Sequence, residues 1–337
     1  MKKVMVTGAT GFLGNNIVRQ LLGDGIEVLV ATRASASLKP FNGLNVSIIE
    51  LDFDDKEAIR EALRGVGTVI HAAAMIWFGF SKLEETRHAN VVITQNIAMA
   101  CQELGIRLVH VSTVDALPAS RDKIPVDEKS GGTPKPPCNY VVTKTEADRL
   151  LKEMFADGLD GLIVHPAFML GPWDWKPSSS RLIIEVERLG RWCVYPSGGI
   201  NVCDVRDVAR GTILAAERGD SGKQYILGGT NIHYRELCHR IADLCGVVRP
   251  FFRSGPFVML VGWLVEQINR WRNTESIINS GSLSMARMYH FYSSEHAAKE
   301  IGYTNRPLDE TLKDGISWLR SQGALKNQVE NPAEHGS

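Results

Sequence analysis

The first apolar run of the chain, KVMV, leads directly into Thr7-Gly8-Ala9-Thr10-Gly11-Phe12-Leu13-Gly14, and from there into the amphipathic pattern FLGNNIVRQLL. A strand that turns this tightly into a helix constrains the fold more than any other stretch of the sequence. Gly8 allows the turn, Gly11 a close backbone approach to a ligand, and Gly14 close packing of helix on strand. The helix N-terminus offers unpaired N–H groups and its positive dipole end to an anion. Gly8, Thr10, Gly11, Phe12, Leu13 and Gly14 therefore read as the cradle of a dinucleotide pyrophosphate.

The alternation continues through IEVLVAT, VSIIEL, TVIHAA, RLVHVS and LIVHP, separated by helical patterns such as KEAIREAL and NVVITQNIAMACQEL. Short runs that are apolar at successive positions are strands buried on both faces, and strands joined through helices lie parallel. The expected fold is α/β, a doubly wound parallel sheet of Rossmann type over residues 1–165. Beyond His165, prolines and glycines punctuate the chain, and helical patterns such as DVARGTILAAER, RELCHRIADLCG and LDETLKDGISWLRSQG dominate. Residues 166–325 are expected to form a smaller, helix-rich substrate region with some elements returning to the core, and the polar residues 326–337 a disordered tail.

Lysine and arginine total 38 against 38 aspartates and glutamates, with no long block of either sign, which argues against a nucleic-acid surface and for a small-molecule partner. The segment PFVMLVGWLVEQI, residues 256–268, is shorter than the roughly 20 residues needed to span a bilayer and reads as a buried or dimer-facing helix. The start MKKVMVTG breaks at Thr7-Gly8 before a signal-peptide core forms, so a cytoplasmic location is expected. Six cysteines without CxxC spacing read as reduced thiols, and neither they nor the nine histidines show a metal-ligand pattern, so no metal is expected.

The stretch NYVVTK places the Tyr140 phenol and the Lys144 ammonium one turn apart if it is helical. A positive charge about 5 Å away, at an effective dielectric of about 20, favours a phenolate by about 3.3 kcal/mol, or roughly 2.4 pKa units. Lys144 together with an oxidised nicotinamide is therefore expected to draw Tyr140 from its ordinary value of about 10 toward neutrality. At the end of the second strand stand Thr32 and Arg33, where dinucleotide folds that prefer NAD place an acid. An arginine there pairs with a 2′-phosphate, so NADP(H) is expected in preference to NAD(H).

The motifs TGATGFLG, LDFDD, HAAA, NVVITQN, VST, PVDE, YVVTK, HPAFMLGP and NVCDVRDVA occur in this order. Together they resemble those of the extended short-chain dehydrogenase/reductases, most of all the branch of dihydroflavonol-reductase-like and bacterial NAD-dependent epimerase-like proteins. The resemblance spans roughly residues 1–325. It implies a triad of Thr113, Tyr140 and Lys144, with Ser112 as Thr113's neighbour and fallback; Tyr140 is the general acid or base, and Lys144 also reaches the nicotinamide ribose. It further implies that Asp52 and Phe53 lie near the adenine, that His71, Ala72 and Ala73 pass the cofactor, and that Pro166 borders the nicotinamide. It implies a homodimer formed through the NVVITQN helix and the helix that starts near Tyr140. Asn139 stands where the family has proline and Ile93 where it has glycine, so local backbone geometry is expected to differ there.

Trp77, Phe78, Met169, Trp173 and Trp175 are candidates for an apolar substrate wall, and Arg181 and Arg191 for contacts to a polar or anionic group. The leading expectation is an NAD(P)-dependent oxidoreductase moving hydride between the cofactor and a carbonyl or alcohol substrate. The alternative is an NAD-dependent nucleotide-sugar epimerase or dehydratase, and a non-catalytic nucleotide-binding scaffold ranks third.

Overall fold

The computed structural model describes residues 3–79, 81–255 and 285–326; the apolar 256–268 segment and residues 327–337 of the expected tail lie outside them. Strands β1 (Lys3–Thr7), β2 (Glu27–Thr32), β3 (Ser47–Glu50), β4 (Thr68–His71), β5 (Arg107–Val111) and β6 (Gly161–Pro166) alternate with helices α1 (Phe12–Gly23), α2 (Lys56–Ala62), α3 (Leu83–Arg87), α4 (Ile93–Leu104) and α5 (Asn139–Ala156). There follow β7 (Phe168–Leu170), α6 (Arg181–Leu189), β8 (Val194–Tyr195), β9 (Gly199–Asp204), α7 (Val205–Arg218), β10 (Gln224–Leu227), β11 (Thr230–His233), α8 (Tyr234–Cys245) and β12 (Phe252–Arg253). The described chain closes with β13 (Tyr289–His290), α9 (Glu295–Ile301) and α10 (Leu308–Ser321).

The main sheet has seven strands in the order β10-β6-β5-β4-β1-β2-β3, every pair parallel. It is the doubly wound Rossmann sheet, extended by a strand that comes late in the chain. The reason for the continuous apolar runs is visible in the core. Val4 and Val6 of β1 face one apolar layer with Val109 and Val111 of β5 and Leu162 and Val164 of β6, covered by α1, α7 and α9. Met5, Leu108 and Ile163, the intervening positions, face the opposite layer with Ile59 of α2, Ile97 and Cys101 of α4 and Leu151 of α5. Both faces are packed, so most successive positions along these strands are apolar.

A second apolar cluster lies where α6, α8 and α10 cover β7, β9 and β11, with Ile183, Val186, Leu237, Ile241, Leu312 and Ile316 among its buried members. There β9 pairs with β7 and β13 in parallel and with β11 antiparallel. Asp204 caps α7 by accepting from the Arg206 N–H at 2.8 Å, and Asp207 pairs with Arg306 at 2.7 Å, which ties α7 to the segment before α10.

The strand order reverses between β1 and β4, and the crevice at their carboxyl ends is where such sheets bind ligands. Close approach of α1 to β1 builds one wall of it. A Cβ added to Gly14 would sit 2.3 Å from the Gly8 carbonyl oxygen and 2.8 Å from the Ala9 Cα, both backbone atoms that cannot rotate away. Gly14→Ala is expected to destabilise the fold by about 3 kcal/mol, read as a lowered denaturation midpoint in urea; an unchanged midpoint would show that the helix is free to shift.

Candidate active site

The turn after β1 is built around Gly8 at φ +68°, where a Cβ would lie 2.4 Å from the Ala73 nitrogen and 2.5 Å from the Ala72 carbonyl carbon. Gly8 is thus pressed against the backbone that follows β4. The Gly11 N–H donates to the Gly8 carbonyl at 2.9 Å, and α1 starts at Phe12 with no side-chain cap and no acid in its first turn. The first N–H to bond back along the helix is that of Asn15, to the Gly11 carbonyl at 3.0 Å, which leaves those of Phe12, Leu13 and Gly14 outside the helical ladder. A Cβ on Gly11 would meet only the Gly8 carbonyl, at 3.1 Å. Unpaired donors, an uncompensated dipole and open space above Gly11 fit a pyrophosphate.

Thr10 is partly buried beside this turn, and Arg33 is exposed just past the end of β2. Asp52 accepts from the Asp54 N–H at 3.0 Å, while Phe53 is buried with its carbonyl held by the Asn96 amide at 3.1 Å. The His71 ring is a structural link: Nδ1 lies 2.6 Å from the Thr7 hydroxyl and Nε2 3.0 Å from that of Thr94. Burial, with Lys144 second, pushes its pKa down to about 3, so the ring stays neutral. Pro166 ends β6 in register with Leu227 of β10.

NYVVTK is helical. On α5 the buried positions Tyr140, Lys144, Ala147, Asp148 and Leu151 follow one face, which brings the phenol and the ammonium to the carboxyl end of β5. Thr113 lies two residues past the end of β5, buried, with its hydroxyl accepting from the Asp115 N–H at 3.1 Å. Lys144 alone, without the charge of an oxidised nicotinamide, does not lower the phenol. Burial, followed by the Asp115 carboxylate, pushes Tyr140 above its ordinary value, against a smaller opposing hydrogen bond from Thr113. The physical reason is that Lys144 is itself desolvated and turned to other partners. Its Nζ donates to the Val111 carbonyl at 2.8 Å and lies 3.0 Å from His110 Nε2. Burial brings its pKa down to about 8, with Asp148 acting the other way.

The substrate-wall candidates divide into separate groups. Phe78 packs edge-on against Tyr140 with ring centroids 5.5 Å apart, and the Trp77 carbonyl accepts from the Tyr140 N–H at 3.0 Å. Met169, on β7 and in register with Cys203 of β9, is partly buried and packs against the apolar layer covered by α1, α7 and α9. Trp173 and Trp175 turn elsewhere: they meet each other and Trp318, with Arg19 at 3.6 Å over Trp173 and Lys39 at 5.1 Å over Trp175. Arg181 and Arg191 are exposed, at the start of α6 and in the turn after it. A cleft of about 700 Å³ lined by Tyr195, His233, Arg235, Arg253 and Tyr289, among others, opens in the C-terminal region; neither those two arginines nor the triad line it.

Several residues of the site were not singled out by the sequence. Asn90 sits in a π-helical turn, His88–Val92, between α3 and α4, and its amide grips the Met75 backbone at 2.7 and 3.0 Å and the Thr143 hydroxyl at 3.0 Å. It joins the segment after β4 to the helix that carries Tyr140 and Lys144, and π turns are frequent at functional sites. Asn139, which the sequence does mark as standing at the position of the family's proline, donates through its amide to the Ser81 carbonyl and fixes the start of α5. Lys135, almost wholly buried, pairs with Asp115 at 3.1 Å. The one signal for Asp148 was its spacing, four residues beyond Lys144 on the same face.

The model of the NAD dependent epimerase/dehydratase family matches residues 4–228. A dihydroflavonol 4-reductase-like protein of Synechocystis sp. is 29% identical over 330 residues, covering 96% of each chain. A Stigmatella aurantiaca protein named 4-hydroxy-2-methyl-3-oxo-4-farnesyl-3,4-dihydroquinoline-1-oxide ketoreductase is 29% identical, covering 95% of this chain and 96% of its own. The crystal structure of gox2253 superposes with a TM-score of 0.85 at 31% identity, over 97% of this chain and 100% of that one. With the match to the family model extending from the glycine-rich turn through β10, this chain belongs to the NAD-dependent epimerase/dehydratase family, as an NAD(P)-dependent oxidoreductase.

Proposed function

We propose that this oxidoreductase reduces a bulky carbonyl compound to its alcohol with NADPH, Tyr140 giving the proton. The observation that carries the reading is the placement of the phenol: it is buried beside Thr113 on the face of α5 that also carries Lys144, and burial and Asp115 act to keep it protonated. A phenol protonated at neutral pH is the form that gives a proton to a carbonyl oxygen, and reduction uses that form. When bound, the nicotinamide supplies the hydride. The turn at Gly8–Gly14 and the N–H groups of Phe12, Leu13 and Gly14 hold the pyrophosphate, and the Ala72–Ala73 backbone and Pro166 flank the path to the triad. Thr113 orients the carbonyl oxygen, Tyr140 protonates it, and Lys144 places a positive charge behind the phenol as it gives up the proton.

Phe78 against Tyr140 and the adjacent Trp77 support an apolar approach to the reacting oxygen and hence a bulky substrate. The name of the Stigmatella relative, a ketoreductase of a farnesylated compound, supports the same class. Among the described residues no helix is long and apolar enough to cross a membrane, and we place the enzyme in the cytoplasm as a homodimer formed through α4 and α5. The family itself favours a second reading, an epimerase or dehydratase acting on a nucleotide sugar. A screen of carbonyl compounds and nucleotide sugars separates the two: reduction consumes NADPH one for one, whereas an epimerase returns its cofactor with no net absorbance change.

Tyr140→Phe removes the transferable proton and keeps the ring, so kcat is expected to fall by about 10²-fold or more with cofactor affinity little changed. A near-normal rate in this variant contradicts the assignment. The cofactor preference rests on Arg33, exposed at the end of β2, making no ion pair or side-chain hydrogen bond among the described residues and standing where no acid is present. Arg33→Ala is expected to weaken NADPH binding by about 1.5 to 3 kcal/mol while leaving NADH nearly unchanged. Equal losses for both cofactors in a fluorescence titration would show that Arg33 does not read the 2′-phosphate.

A further inference from the structure

Beneath the triad, Lys144 joins a buried polar cluster whose other members the proposed reaction does not use. Lys144 Nζ is 3.0 Å from His110 Nε2, which is 3.9 Å from Asp148 Oδ1. Asp148 Oδ2 accepts from the Ser112 hydroxyl at 2.8 Å and lies 3.9 Å from His165 Nδ1. His165 Nδ1 is also 3.1 Å from the Thr113 carbonyl, and its Nε2 is 3.0 Å from the Gln224 side-chain oxygen. The His71 ring stands 5.4 Å from that of His110. The titratable groups of the cluster around Lys144 thus come from β4 (His71), β5 (His110), β6 (His165, against Asp148) and its own helix (Asp148, with Tyr140 one turn before Lys144), and all five, like Lys144, are buried.

The charges in this cluster follow from its geometry. Burial and the neighbouring Lys144, His71 and His165 push the His110 pKa far down, so the ring is neutral. A neutral imidazole facing an ammonium must present a lone pair, which places its proton on Nδ1 and leaves Nε2 as acceptor. Asp148 is then the carboxylate that balances the Lys144 charge, with the neutral ring between them. Two atoms are left over: His110 Nδ1 and Asp148 Oδ1 are buried without a hydrogen-bond partner. A cluster serving packing alone would be more stable with apolar residues in their place, since unsatisfied buried polar atoms are costly.

We propose that Asp148 and His110 are positioning residues that hold Lys144 charged and aimed in its buried site, so that the cluster sets the upper pH limit at which the triad works. The inference deepens the proposed function, resting on Lys144 as the cation behind Tyr140. The sign follows from the charges. Burial lowers the Lys144 pKa to about 8 while Asp148 opposes that lowering. Removing the carboxylate's charge lowers it further, and the ammonium is lost at a lower pH.

The test is an NMR pH titration of the lysine side-chain resonances in the full chain, with Lys144 assigned through Lys144→Met. Wild-type Lys144 is expected to titrate near 8. In Asp148→Asn its ionisation constant is expected to rise about tenfold or more, with Asp148→Glu returning it toward wild type. In a reductase assay the alkaline limb of kcat moves down in pH with the titration. An Asp148→Asn protein in which Lys144 titrates as in wild type overturns the proposal. So does a wild-type enzyme whose kcat falls at alkaline pH apart from the Lys144 titration, a result that needs no folded variant. The titration requires no substrate, so its outcome is independent of the rate of Tyr140→Phe.

Discussion

Desolvation of one face of α5 is the constraint on which the site depends. The helix lays Tyr140, Lys144 and Asp148 along a single buried stripe against the carboxyl end of β5, and each of these groups would ionise in its ordinary range in water. In the protein, burial moves the first two in opposite senses: the phenol upward and the ammonium downward. Both shifts favour the neutral form, as low dielectric demands. A phenol that keeps its proton beside a lysine that barely keeps its charge is a pair poised to respond to a nearby charge.

The rest of the molecule keeps that stripe in place. Parallel strands buried on both faces bring the ends of β1, β4 and β5 to one crevice, and Gly8 and Gly14 allow α1 and the Ala72–Ala73 backbone to close on it. Asn90 ties the segment after β4 to α5 through Met75 and Thr143. Asn139 ties the start of α5 to the carbonyl of Ser81. Rigid positioning of this kind is what allows a proton donor to act within hydrogen-bond reach of its acceptor.

Much of this is legible in the sequence, for reasons that are local. The turn at Gly8–Gly14, the doubly buried strands and the i to i+4 spacing of Tyr140 and Lys144 are each written within a few consecutive residues. The late strand β10 and the small sheet around β9 were harder to read, because their short runs acquire partners only from distant parts of the chain. The sign of the Tyr140 shift was not legible at all. It depends on how completely the phenol is desolvated and on Asp115, whose proximity the linear sequence does not display. Likewise His110 and His165, single residues within apolar runs, reveal their relation to Asp148 only once β5 and β6 lie side by side.

The most direct measurement is the ionisation of Tyr140 itself, followed by ¹³C NMR of ring-labelled tyrosine from neutral to alkaline pH in the cofactor-free protein. Seven tyrosines contribute, and the spectrum of Tyr140→Phe identifies the relevant signal. With the phenol held by desolvation, that signal stays in the protonated position beyond tyrosine's ordinary value of about 10 for as long as the fold persists. A Tyr140 that forms phenolate at or below that value in the free protein would contradict the account, since Lys144, and not burial, would then govern the proton.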